Sequence, residues 1–102
     1  MKQSYCGFIQ ADQGFNGPVP FDGPTGWTVD KMGQTEIYKI HHGLNVANPN
    51  KLRVVATTRK SLTFANVESV TSNDITISVW SAASSNGGAP ASSDFMFIIL
   101  RV

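Results

Sequence analysis

The segment at residues 95–102 most constrains the fold, because it reads FMFIILRV and is apolar at nearly every position. Side chains alternate between the two faces of an extended strand, so Phe95, Phe97 and Ile99 share one face. The opposite face carries Met96, Ile98, Leu100 and Val102. One face can pack on the core of the domain. The other is either an interface with another copy of the chain, which we expect, or the covered side of a central strand beneath loops.

Length and charge narrow the class of protein. With 102 residues the chain forms one domain, residues 1–102, large enough for a single core. Charged residues make up 15% of the chain, below the usual quarter, and the net charge is +1. The basic residues are scattered, which argues against nucleic-acid binding. No apolar run approaches 18 residues and no basic-apolar leader is present, so we expect neither membrane insertion nor a secretory signal.

Short strand patterns separated by turn signals recur along the chain. They lie at 4–10, 26–31, 36–42, 52–58, 61–65 (continuing toward 67), 75–80 and 95–102. A proline-rich connection at 16–24 is predicted to run extended along a sheet edge, and 84–90 is predicted to be a flexible loop. No apolar period of 3.6 residues persists beyond about two turns. The sequence therefore predicts an all-β, antiparallel, jelly-roll-like β-sandwich of seven to eight short strands with little helix.

Five of these patterns occur in an order that resembles a known group of proteins. They are GWTV at 26–29, YKIHHGL at 38–44, VVAT at 54–57, ITISV at 75–79 and DFMFII at 94–99. The order resembles the small β-sandwich domains at the tips of bacteriophage tail fibres, which bind receptors. It is more distantly similar to H-type lectin domains. The chain departs from the pattern after His42, where Gly43-Leu44-Asn45 replaces the usual Asn-Leu-Gly order, so a different turn is expected there.

The resemblance implies a non-enzymatic receptor-binding module of a phage virion. It implies a homo-oligomer, specifically a trimer, that contacts other virion proteins and binds a cell-surface glycan or protein. The expected location is the virion, assembled in the host cytoplasm. Two alternatives stay open: a purely structural virion part, such as a capsid decoration protein or fibre cap, and a cellular H-type-like lectin.

Candidate catalytic and metal-binding residues are few. Adjacent residues on a strand face opposite ways, so His41 and His42 are not expected to chelate one ion together, although a ring of histidines on a symmetry axis stays open. We expect His42 to hydrogen-bond a turn at the end of its strand. Cys6, the only cysteine, is expected to be a small buried hydrophobe rather than a nucleophile. The sequence thus predicts no catalytic residues, no cofactor and no metal site.

A ligand-binding site is better supported, around Trp80. Trp80 falls out of phase with Ile75, Ile77 and Val79, so it should face away from the core, beside a Ser/Asn/Gly loop that contains Asn86. An indole face next to polar groups can stack on a sugar ring. Arg59 and Lys60, at a predicted turn, are candidate contacts for acidic glycans. The alternative for Trp80 is that it covers a subunit interface or packs under the proline-rich connection at 16–24. Trp27 is expected to be in the core.

Overall fold

The computed structural model describes residues 3–10, 19–22, 26–32, 36–81, 89–90 and 93–102. These residues contain nine strands. They are β1 (Gln3–Gln10), β2 (Val19–Asp22), β3 (Thr28–Lys31), β4 (Ile37–His41), β5 (Leu52–Thr58), β6 (Thr63–Val70), β7 (Asp74–Ser81), β8 (Ala89–Pro90) and β9 (Phe95–Arg101). The helical part of the described chain is one 3₁₀ turn, Pro49–Lys51, in which the Asn48 side chain accepts a hydrogen bond from the Asn50 N–H. No helix in these residues is long and apolar enough to cross a membrane.

The strands form two antiparallel sheets that pack face to face. The first sheet has the order β2-β1-β9-β5, and the second has the order β3-β4-β7-β6, with β8 also paired to β7. Along the chain, β2 is followed by β3 and β5 by β6, so consecutive edge strands meet at both sides of the molecule. The predicted all-β antiparallel sandwich with little helix is confirmed.

Most predicted strands lie where the sequence places them, with two differences. The 52–58 strand matches β5, and the proline-rich connection contributes β2 at an edge of the first sheet, as expected. The strand predicted from 61 begins instead at Thr63, because Leu62 takes a left-handed backbone conformation (φ 60°) that ends the turn. This strand extends to Val70. Ala89–Pro90 pairs with β7 instead of belonging to a loop. The rest of that predicted loop, 84–88, lies outside the described residues.

The core lies between the sheets and follows the alternation of the strands. In β9, Phe95, Phe97 and Ile99 are at most 2% exposed, and in β7 the inward set is Ile75, Ile77 and Val79. The other buried apolar residues are Ile9, Val29, Tyr38, Ile40, Val46 and Leu52. Trp27 packs against this cluster and stacks on Phe97, with ring centroids 5.9 Å apart and planes 7° apart. Trp27 was predicted to lie in the core; it is partly buried and borders the core.

The second face of β9 is exposed. β9 is hydrogen-bonded to β1 on one side and β5 on the other, yet Met96, Ile98 and Leu100 are 40%, 43% and 36% exposed. The described residues therefore leave this face exposed, contrary to the alternative that loops of the same chain cover both faces of the strand. The expectation for Cys6 is also wrong: it is exposed, because it lies opposite Ile98 and shares its outward face, while Gly7 and Ile9 point inward.

The turn after β4 uses two residues in the left-handed region. Gly43 has φ 63° and Asn45 has φ 52°, conformations that glycine and asparagine adopt most readily. The Asn45 N–H donates to the Asn73 side-chain oxygen over 2.8 Å, which ties this turn to the one before β7. The Leu44 N–H donates to Nδ1 of His42 over 3.1 Å. The predicted role of His42 in closing the strand end on a turn is confirmed.

Candidate interface and binding surfaces

The outward side of the first sheet is an apolar surface, which we call the open face. It consists of Cys6, Phe8, Val55, Met96, Ile98 and Leu100. The register places Ile98 between Cys6 and Val55, so the most apolar row crosses three neighbouring strands. Val55 is 63% exposed, and Val102, 39% exposed, extends the alternation of β9 beyond Leu100. A contiguous exposed apolar surface of this kind is typical of interaction sites.

The three strands that form the open face carry only positive charges, whereas Asp22 of β2 pairs with Phe8 at the edge of the sheet. None of β1, β5 and β9 contains Asp or Glu. Arg53 lies opposite Leu100, and the guanidinium of Arg59 lies 5.4 Å from the centre of the Phe8 ring. Arginine stacked on an aromatic ring keeps its charge while covering apolar surface. The open face is therefore an apolar centre with cationic side chains at its ends.

A second candidate surface, the Trp80 surface, lies on the outward side of the second sheet. It consists of Phe64, Asn66, Glu68, Ser78 and Trp80. Trp80 faces away from the core, as predicted, and the register places Phe64 directly opposite it. The indole Nε1–H donates to Oγ of Ser78 over 2.8 Å.

Glu68 is fixed beside this indole by two donors. Its Oε1 accepts from Oγ of Ser78 over 2.5 Å and from Nδ2 of Asn66 over 3.1 Å. The bond from Ser78, followed by the weaker effect of the bond from Asn66, holds the pKa of Glu68 below its ordinary value. Glu68 is the extra residue at a register shift between Val67 and Ser69, and such a bulge redirects a side chain. The carboxylate is thus ionised and held in place.

Arg59 and Lys60 form a third feature, a shallow depression of about 470 Å³ that Ser93 and Asp94 also line. The Arg59 N–H donates to the Asp94 carbonyl over 3.1 Å, and the Lys60 N–H donates to Oγ of Ser93 over 3.2 Å. Arg59 reaches toward Phe8 on the first sheet, whereas Trp80 is on the outside of the second sheet. The structure therefore does not join these predicted ligand residues into one site. Asn86 lies outside the described residues.

His41 bridges two carboxylates on neighbouring strands. Its Nδ1 is 2.5 Å from Oδ1 of Asp74, directly opposite in β7, and its Nε2 is 2.7 Å from Oδ2 of Asp30 in β3. Both ring nitrogens can donate only when the imidazole is protonated. The hydrogen bond to Asp30 has the largest effect and that to Asp74 the next, and together they raise the pKa of His41 above 6.5. In its protonated form, His41 thus acts as a clasp across three strands, β3, β4 and β7.

His42 faces the opposite way and is buried, with its ring 5.8 Å from that of Trp27. Burial lowers the pKa of His42 below 6.5, because the charged form loses hydration. Cys6 points outward from the first sheet, so it is not placed beside this imidazole. Among the described residues, no group of three or more His, Cys, Asp or Glu side chains is arranged to hold a metal ion.

Sequence reasoning missed Phe64, Asn66 and Glu68. The signal was present, since residues two apart on a strand share a face. The strand predicted at 61–65, continuing toward 67, stops short of Glu68, and the pairing of this strand with that of Trp80 depends on the tertiary structure. Searches for similar proteins found no matching family model, no matching curated protein and no matching solved structure.

Proposed function

We propose that this chain is a non-enzymatic virion module of the tail-fibre type, which assembles as a homotrimer and binds a cell-surface receptor. The proposed assembly rests on one observation, the exposed apolar surface of the open face. In a trimer, three copies turn this face toward a common axis, which removes Val55, Met96, Ile98 and Leu100 from water. The tail-fibre assignment rests on the five sequence patterns at 26–29, 38–44, 54–57, 75–79 and 94–99.

The size of the open face suits such an assembly. Three strands about 4.8 Å apart and about seven residues long, at about 3.4 Å per residue, give a face of roughly 340 Å² in projection. A standard interface buries about 800 Å² per partner, against a total surface of 6145 Å² for the chain. The open face thus supplies the apolar centre of an interface, and contacts around it supply the rest. We expect association that depends on protein concentration.

Light scattering on a sizing column tests the assembly directly. Three chains of 11.0 kDa give a mass near 33 kDa, and one chain gives 11.0 kDa. A mass that rises to the trimer value with concentration supports the proposal. A monomer at every concentration would contradict it.

A purely structural virion part is the second candidate, because the same open face suits any neighbour in a particle. Such a protein needs no ligand surface on its second sheet. Binding to a glycan array separates the two candidates, since a structural part should retain nothing on it.

A further inference from the structure

The indole of Trp80 lies along the outside of the second sheet instead of projecting from it. Its Nε1–H bonds to Ser78, two residues earlier on the same strand and the same face, so the ring folds back over that residue. Ser78 is only 1% exposed although its side chain points outward. The ring and Glu68 therefore cover Ser78. Trp80 itself is half-buried, with Phe64 of β6 opposite it on one side and Pro90 of β8 on the other, so part of the indole is accessible.

The surroundings of that ring combine apolar area with a hydrogen-bond acceptor. Phe64, opposite Trp80, is 44% exposed and extends the apolar area. A carboxylate has about four acceptor positions, and Ser78 and Asn66 occupy two of those on Glu68. The remaining acceptor positions of the Glu68 carboxylate can accept a hydrogen bond from a ligand that approaches from the solvent side of the sheet. The network from Trp80 through Ser78 to Glu68 fixes both groups before any ligand arrives.

Neutral sugars match this arrangement best. A pyranose ring has a face of C–H groups that stacks on an indole and a rim of hydroxyls that donate to a carboxylate. An acidic sugar or a phosphate places a second negative charge beside Glu68, which is unfavourable. We propose that the Trp80 surface binds one ring of a neutral glycan, stacked on Trp80 with a hydroxyl donated to Glu68. This inference rests on the proposed receptor-binding function and names its ligand class.

Titration with neutral oligosaccharides, monitored by tryptophan fluorescence, tests the inference. Trp27 is packed against the core and stacked on Phe97, so a change in emission on adding sugar reports mainly on Trp80. We would use galactose- and N-acetylglucosamine-based oligosaccharides as neutral probes and sialylated ones as acidic probes. Saturable binding of a neutral probe, with weaker binding of the acidic ones, is the expected result.

Variants locate the binding on the surface. Trp80→Ala should weaken it at least about tenfold, and Glu68→Gln several-fold, measured by calorimetry because the first variant lacks the fluorescent reporter. Lys51→Ala, exposed in the 3₁₀ turn before β5, is the matched control and should leave affinity unchanged. Circular dichroism checks that each variant is folded.

Three results would overturn the inference. The first is unchanged affinity in a folded Trp80→Ala variant. The second is no neutral sugar bound at concentrations above about 1 mM, the range of a single weak site. The third is a preference for acidic probes that Lys60→Ala abolishes. Measuring the mass in the same samples separates the proposals: a sugar-binding monomer contradicts only the trimer, and a trimer that binds only acidic probes contradicts only this inference.

Discussion

Replacing Ile98 with lysine should split the oligomer without unfolding the chain. Ile98 is 43% exposed in the single chain and lies at the centre of the open face. Full burial of an isoleucine side chain is worth about 1.5–3 kcal/mol, so covering its exposed part contributes about 1 kcal/mol per copy. A lysine there loses this contribution and adds the cost of a buried, unpaired charge.

Over three copies, the loss is at least about 4 kcal/mol, or about a thousandfold in the association constant. The folded monomer should lose no more than about 1 kcal/mol, because the site is on an exposed strand face. The neighbouring Ile99 is fully buried, so Ile99→Lys places a charge inside the core. Its cost is comparable with the whole stability of a domain of this size, and Ile99→Lys should not fold.

Light scattering for mass and circular dichroism for folding distinguish these outcomes. Thr76→Lys is the matched control, since Thr76 faces outward from a central strand of the second sheet. It should be folded and trimeric. If Ile98→Lys is folded and keeps the wild-type mass, the open face is not the interface. If it unfolds as Ile99→Lys does, the assignment of faces in β9 is wrong.

Cys6 provides an independent measurement of the same surface. It is exposed on the open face, directly opposite Ile98. A thiol reagent should react with it quickly in the Ile98→Lys monomer and at least about tenfold more slowly in the wild-type oligomer, because covering restricts access. Equal rates in the two proteins would show that Cys6 is not covered by assembly.

Two further predictions concern the stability of the single chain. The pKa of His41 is raised by Asp30 and Asp74, so its stabilisation is complete below its unfolded value of 6.5 and lost as the pH rises through the folded value. These groups are partly exposed, so the effect should be no more than about 1 kcal/mol. His42, whose pKa is lowered, acts in the opposite direction. The difference in melting temperature between wild type and His41→Gln, measured from about pH 5.5 to 8.5, should therefore shrink as the pH rises. A constant difference would contradict the role of protonated His41 in linking the three strands. Leu62→Gly should stabilise the chain by up to about 1 kcal/mol in urea unfolding, because Leu62 is 68% exposed at φ 60°; a loss of stability would show that its side chain has a packing role.

Several features of the fold were readable from the sequence because they depend on local geometry. Alternation along a strand has a period of two residues, so the grouping of Phe95, Phe97 and Ile99 against Met96, Ile98 and Leu100 needs no knowledge of the rest of the chain. The same rule placed Trp80 away from the core. Composition and turn signals were enough for the all-β antiparallel class.

The tertiary structure decided everything that depends on which strands are neighbours. Alternation separates two faces but does not say which one meets the core, so the exposure of Cys6 followed only from its position opposite Ile98. His41 meets Asp30 and Asp74 because β4 lies between β3 and β7. Glu68 reaches Ser78 through a bulge in β6. Strand pairing joins residues far apart in sequence, and its energy comes from packing and hydrogen bonds that no local pattern contains.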